Sequence, residues 1–180
     1  MENTIKKNMV QSIQTFTLPK YEQLPNIGLY LEQTTQYINT CLKPLGCIEI
    51  TNSMIRNYVK MGIVSNPVQK QYYADHIAHL ICIALLKPVV SLEHIYDLFS
   101  RQRQIYSDEI AYNYFCMELE NILYFRFGLK EEVEDIGITC SFEKEMLRSA
   151  IVAVSHIIFL NACFEQLVLS ETPTAPTLKK

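Results

Sequence analysis

The chain has little glycine, no tryptophan and no surplus of positive charge. Five glycines in 180 residues leave few positions ready for the left-handed φ that tight hairpins need, which disfavours an all-β architecture. With 16 Lys and Arg against 19 Asp and Glu, the chain-wide basicity that marks many nucleic-acid binders is absent, so any basic surface must be local. The sequence contains no glycine-rich phosphate loop, no Gly-x-Ser-x-Gly and no His-Glu-x-x-His. It therefore reads as a non-enzyme with no cofactor. Six cysteines (Cys41, Cys47, Cys82, Cys116, Cys140 and Cys163) show no Cys-x-x-Cys spacing, and read as reduced thiols packed as small hydrophobes. No apolar signal core follows Lys6 and Lys7. The least charged run, residues 149–164, is shorter than the roughly 18–20 apolar residues of a membrane span. These exclusions place the protein in the soluble, cytoplasmic class with no membrane partner.

What is present is apolar and helical. About half of the residues (49%) are hydrophobic, enough to build a core. Residues 1–19 look polar and aperiodic and are expected to lie loosely on the surface. Spacings of three and four between apolar residues then predict helices over residues 27–42, 52–61, 74–86, 91–104, 107–127 and 141–169. Thr51, Ser91 and Ser107 stand where N-caps belong, and Gly62 where a helix closes. Residues 68–73 could form one small β-arm. Residues 128–140 form an acidic loop, and the tail 170–180, with two prolines, reads as disordered. The class is all-α. The expected organisation is a flexible 1–19, a first domain over 20–100, a C-terminal helical region over 101–169 and the tail.

Two histidine motifs are read as structural. Asp75-His76-x-x-His79 puts two imidazoles and a carboxylate at helical spacing, but no second ligand cluster accompanies them, so no metal is assigned. His156, in the most apolar helix, reads as a hydrogen-bonded core residue, because catalysis would need a partner.

The sharpest signal is the segment 51–62. On a helical wheel Met54, Ile55, Tyr58, Val59 and Met61 group inward, and Asn52, Ser53, Arg56, Asn57 and Lys60 group outward. The outward face holds two amides, a hydroxyl and two cations, and no carboxylate. Asn can bond adenine through two atoms, Arg can do so with guanine, and Lys and Ser can hold phosphates.

The pattern Ile50-Thr51-x-x-x-Ile55-Arg56-x-Tyr58-x-x-x-Gly62-Ile63-Val64 resembles the MerR-family helix-turn-helix, whose second helix carries Leu-Arg-Tyr-Tyr and ends in Gly-Leu-Leu. Tyr72 with Ile77, Leu80 and Ile83 is similar to that family's Tyr-Ser-x-x-Asp-Leu helix, and Ser91-Leu92-Glu93-His94-Ile95 to its Ser-Leu-Glu-Glu-Ile. From Leu24-Pro25 and Leu29-Tyr30 through Ile95, the chain also resembles a group of uncharacterised bacterial proteins carrying a domain of unknown function. That group has been described as related to the MerR helix-turn-helix. The resemblance implies a fold (a winged helix-turn-helix with a reduced wing, followed by helices) and a function, transcriptional regulation through double-stranded DNA. The implied contacts are Thr51, Asn52, Ser53, Arg56, Asn57, Tyr58 and Lys60 on the reading helix, with Tyr58 at the groove edge. Lys70 and Tyr72 would brace the backbone. The helices after residue 101 would form a homodimer or sense an effector.

The departures are specific. The segment Pro67-Val68-Gln69-Lys70-Gln71 offers one cation where the family's wing carries arginines, and His94 replaces a capping glutamate. The weak wing, the acidic balance and the absence of an evident coiled coil leave a second reading open: a helical protein–protein interaction module that keeps the helix-turn-helix shape. A small-molecule-binding regulator is the third. In the C-terminal half, residues 150–164 are apolar nearly all round. Such a helix fits a central core position, a dimer interface or the wall of an effector pocket.

Overall fold

The computed structural model describes residues 2–46, 48–137 and 141–171. The expected disordered tail lies outside them apart from its first two residues, and so do Cys47 and Cys140. The architecture is mostly helical with one two-stranded sheet.

The first helix overturns an expectation. Residues 2–19 do not lie loosely: α1 spans Glu2–Ile13, and Met9, Ile13, Phe16 and Leu18 are all buried. Met9, Ile13 and Phe16 follow a spacing of four and three, an apolar line in a segment whose other residues are mostly polar. That line packs on the last helix of the chain, to which α1 makes most of its contacts.

Strand β1 (Leu29–Tyr30) and helix α2 (Leu31–Leu42) replace the single expected helix over 27–42. The chain is extended at 29–30 because these residues pair antiparallel with β2 (Gln71–Tyr72), Leu29 opposite Tyr72 and Tyr30 opposite Gln71. Helix α3 is Asn52–Lys60, α4 is Ala74–Leu86 and α5 is Leu92–Gln102. Helix α6 is Asp108–Arg126 and α7 is Phe142–Glu171. The three expected caps are in place: the hydroxyls of Thr51, Ser91 and Ser107 accept from the backbone N–H of Met54, His94 and Ile110. Each satisfies one of the orphan donors of a helix start.

Helix α4 is the centre. Eleven of its 13 residues, from His76 to Leu86, are buried, because α2, α5, α6, α7 and the sheet all pack on it. The buried side chains from Met9 to Ile158 form one continuous cluster. No gap in the core separates residues before 100 from those after.

Helix α7 corrects the expected core placement of His156. It is not sheathed on all sides. Leu147, Ile151, Val154, Ser155 and Ile158 face the core, while Phe142, Met146, Leu160 and Phe164 are exposed. His156 is exposed as well, its ring Nδ1 2.7 Å from the carbonyl of Val152. Helical periodicity places it opposite Ile151 and Ile158, away from the core. At 30 residues, α7 is also longer than its apolar run suggested, and among the described residues it is the one helix long and apolar enough to cross a membrane.

Candidate nucleic-acid interface

Helix α3 is anchored from its inner side. Ile55 and Tyr58 are fully buried, and Asn39 of α2 holds the chain just before the cap. Its Nδ2 donates to the carbonyl of Ile50, and its Oδ1 accepts from the Ile50 N–H, both at 2.9 Å. Thr35 of α2 donates to Asn52 Oδ1 at 2.5 Å. Asn39 and Thr35 were missed from sequence, since a lone amide and a lone hydroxyl on a helix carry no pattern. At the other end Gly62 takes φ +73°, so the N–H groups of Ile63 and Val64 can turn back onto the Tyr58 carbonyl at 3.0 and 3.3 Å.

The outward face is as expected in four of its five members. Ser53, Arg56, Asn57 and Lys60 are exposed, while Asn52 is half-buried and held by Thr35. Asn57 reaches back to Met61 Sδ, Nδ2 to sulfur 3.3 Å. Met61 stands 49% exposed, not inward, because the helix ends at Lys60 and its last turn runs out over solvent. Among the described residues no salt bridge engages Arg56, Lys60 or Lys70. These cations stand free beside side chains that both donate and accept.

Two expected contact residues are in the core instead. Tyr58 is 1% exposed, its hydroxyl buried with no hydrogen-bond partner. It cannot stand at a groove edge, since the inward side of α3 is the side that packs on α2. Tyr72 is buried too, with its ring edge-on to that of His76. Burial raises the pKa of its phenol, and the positive charge of Arg56 opposes that shift.

The arm is a real but minimal hairpin. Val68 bridges Gln71 across Gln69 and Lys70, which take φ +50° and +66°. A two-residue hairpin turn of the I′ type requires left-handed backbone at both central positions, and Asn-Gly is the usual solution. Here neither residue is glycine, so the tip is strained while it projects Lys70 into solvent. Gly28 lets the chain entering β1 pass close to β2: a Cβ there would lie 2.6 Å from Gln71 Cβ. His76 secures the base. Its Nδ1 accepts from the Tyr73 N–H at 3.1 Å and its Nε2 faces the Asn66 carbonyl at 3.2 Å, which makes Nε2 the donor.

Two carboxylates of the acidic loop, Glu134 and Asp135, are taken up away from this face. Glu134 and Asp135 pair with Lys130, Lys144 and Arg148, and Asn121 holds the backbone of Glu134. All of these partners lie on α6, α7 or the loop between them.

The histidine cluster behaves as a structural unit. Asp75 is engaged by the Tyr21 hydroxyl. His79 Nε2 lies 3.1 Å from Arg103 Nη2 and 3.3 Å from Asp108 Oδ1. The hydrogen bond with His79 is the main cause that holds the Asp108 carboxyl below its ordinary pKa. Among the described residues no group of three His, Cys, Asp or Glu converges as metal ligands would. A separate cavity of about 310 Å³ opens between α5, α6 and α7, lined by Leu98, Tyr106, Ile110, Met117, Ile136 and Leu147. The buried Tyr114 hydroxyl, which also borders that cavity, has no partner.

No curated protein and no solved structure matches the chain. A family model, described as a domain of unknown function (DUF1836), matches residues 19–115. That segment holds β1, α2, α3, the arm, α4, α5 and the start of α6, and by this match the chain belongs to the DUF1836 family.

Proposed function

We propose that this protein binds double-stranded DNA as a regulator, with α3 entering the major groove in a MerR-like winged helix-turn-helix. The observation that carries the reading is the outward face of α3: Ser53, Arg56, Asn57 and Lys60 exposed together, without a carboxylate and without an ion pair. A helix of nine residues, about two and a half turns, fits the major groove. The start of α3, held by Asn39 and Thr35 of α2, and its inner face of Ile55 and Tyr58, buried in the core, give the rigid support that base reading needs. Lys70 at the hairpin tip supplies a backbone contact beside it.

The site is narrower than the sequence suggested. Arg56, Asn57, Lys60 and Ser53 read and hold, Lys70 braces, and Thr51 caps. Tyr58 serves from behind by anchoring α3 in the core, and Tyr72 is buried at the base of the arm against His76. With three free cations, affinity is modest and falls steeply with salt. The test is fluorescence anisotropy with random-sequence duplex at two salt concentrations, comparing the native protein with the double substitution Arg56→Ala and Lys60→Ala. Salt-sensitive binding that the double substitution removes supports the reading; no binding at low salt overturns it.

A second reading rests on the cavity between α5, α6 and α7. Its volume is at the lower end of small-molecule sites, and its wall is apolar with few polar groups, as such sites are. An apolar effector there would touch α5 and α7 together. Quenching of a bound apolar dye, lost on Met117→Trp, would report it.

A further inference from the structure

We infer that Thr35 sets which base α3 reads: by occupying the acceptor of Asn52 it leaves a stripe that only donates, and such a stripe selects guanine over adenine. The inference rests on the proposed entry of α3 into the major groove and names the base met there. Thr35 lies on α2, outside the reading helix, and its Oγ1 is 2.5 Å from Asn52 Oδ1. An O–H···O bond closes to that distance, whereas N–H···O bonds run at about 2.7–3.2 Å. The amide atom facing Thr35 is therefore the oxygen, and the hydroxyl hydrogen lies between the two. Thr35 Oγ1 is also 3.0 Å from the Leu31 carbonyl. One hydroxyl carries one hydrogen, however, and two oxygens at 2.5 Å need it between them. The other amide atom, Asn52 Nδ2, meets no partner among the described residues and is not shut inside the core. Its two N–H groups are free to donate.

Asn52, Arg56 and Lys60 stand four residues apart along one line of α3. Guanidinium and ammonium groups have no acceptor, and Asn52 has its own turned away, so the whole line only donates. In the major groove guanine shows two acceptors, N7 and O6, while adenine sets an acceptor beside the N6 amine, which must donate. Asparagine holds adenine when both amide atoms face the same base edge; here adenine would first have to break the Thr35 bond. Four residues of helix rise about 6 Å, and successive bases on one strand lie about 3.4 Å apart. Asn52 and Arg56 thus reach guanines no more than two steps apart. The acceptor that a G·C pair also calls for, toward the cytosine amine, comes from the neighbouring line. Asn57 turns its Nδ2 to Met61 Sδ at 3.3 Å, which leaves its Oδ1 open.

Sequence alone gives Asn52 two atoms for adenine; the contact from α2 removes one of them. Thr35 is a positioning residue, since it touches no base and acts through Asn52. A role limited to holding the start of α3 has a different consequence. Loosening the helix would blur every base position together, whereas freeing the Asn52 oxygen changes one.

Selection of binding sites from a random-sequence duplex library, at low salt with the full chain, is the first measurement. The native protein is expected to enrich two guanines, one lost in Arg56→Ala and one lost in Asn52→Ala. Thr35→Val keeps a similar shape without the hydroxyl. It should admit adenine at the Asn52 position while the Arg56 guanine is retained, and Thr35→Ser should keep guanine at both. In anisotropy with the selected duplex, 7-deazaguanine at the Asn52 position, with a C–H in place of N7, should weaken native binding about tenfold. Adenine at that position with the native protein, or a Thr35→Val selection identical to the native one, overturns the inference. So does blurring of both positions in Thr35→Val, or salt-sensitive binding without base preference; each of these leaves DNA binding itself standing. No binding to any duplex at low salt overturns the DNA reading and this inference with it.

Discussion

His76 Nε2 lies 3.2 Å from the carbonyl oxygen of Asn66, so one imidazole ties the base of the arm to the first turn of α4. The same ring accepts from the Tyr73 N–H and therefore also caps α4. Replacing it with alanine removes a cap and an arm contact together. His76→Ala is expected to cost about 1–2 kcal/mol, roughly 2–8 °C in Tm for a chain of this size. Amide exchange at Gln71 and Tyr72 should rise more than in α6. Uniform protection in both places would mean that the ring does not hold the arm.

The hairpin tip separates strain from contact. Exchanging Gln69-Lys70 for Asn-Gly places residues that accept left-handed backbone at φ +50° and +66°. Stability is expected to rise by about 1–2 kcal/mol, while the slope of log affinity for duplex against log salt falls by about one unit as one phosphate contact is lost. Chemical denaturation and anisotropy on the same sample check both. A variant that gains stability and keeps the full salt slope would remove Lys70 from the interface.

Tyr58 gives the plainest discrimination between a groove-edge residue and a core one. Its ring is buried and its hydroxyl has no partner, so Tyr58→Phe removes only an unsatisfied polar group. The substitution is expected to leave stability unchanged or raise it by up to about 1 kcal/mol, with duplex affinity unaltered. Arg56→Ala should weaken binding several-fold. Loss of affinity in Tyr58→Phe would return the hydroxyl to the DNA.

Gly28 and Gly62 fail differently when substituted. A Cβ at Gly62 meets nothing within 4 Å, so Gly62→Ala carries only the left-handed backbone cost of about 1 kcal/mol. At Gly28 the new methyl would sit 2.6 Å from Gln71 Cβ, and the two strands must part. Gly28→Ala should therefore expose the amides of β2 to exchange, and Gln71→Gly should restore protection in the double variant. If Gln71→Gly does not rescue, the close approach is not the reason for the glycine.

Acid stability follows from Asp108. Its carboxyl is held below the ordinary pKa of 3.8, first by the hydrogen bond with His79 and then by the charges of His79 and Arg103. A group lowered in the folded state stabilises fully above its unfolded pKa, and that contribution disappears as pH falls through its folded value. Asp108→Asn is expected to lower Tm near neutrality and to flatten the fall of Tm below about pH 4. Parallel Tm curves for the two proteins across pH 2–6 would contradict the assignment.

Much of the fold is legible from punctuation. Thr51, Ser91, Ser107 and Gly62 mark helix ends through local hydrogen-bond geometry that a sequence displays directly. The outward face of α3 is legible for the same reason, since its period is local. What was hidden depends on distant partners. Residues 29–30 become a strand only because β2 arrives beside them, forty residues later. Helix α1 looks polar until α7 supplies the surface for its single apolar line. Tyr58 presents a wheel position and a motif that point in opposite directions, and burial decides for the wheel. His156 looks like a core residue by its neighbours and stands exposed, because composition alone does not say which side of α7 the rest of the molecule occupies.

The single core has a consequence for where this protein can be divided. The family match ends at Phe115, in the middle of α6, with the Asp108–Arg126 helix running on beyond it. It also begins after α1, whose buried residues belong to the same cluster as those of α4 and α7. A fragment cut to residues 19–115 would lose α7, which packs on α4, α5 and α6, and expose the centre of the molecule. The stretch by which relatives are recognised is thus smaller than the stretch that folds: inheritance and cooperativity draw different borders on one chain.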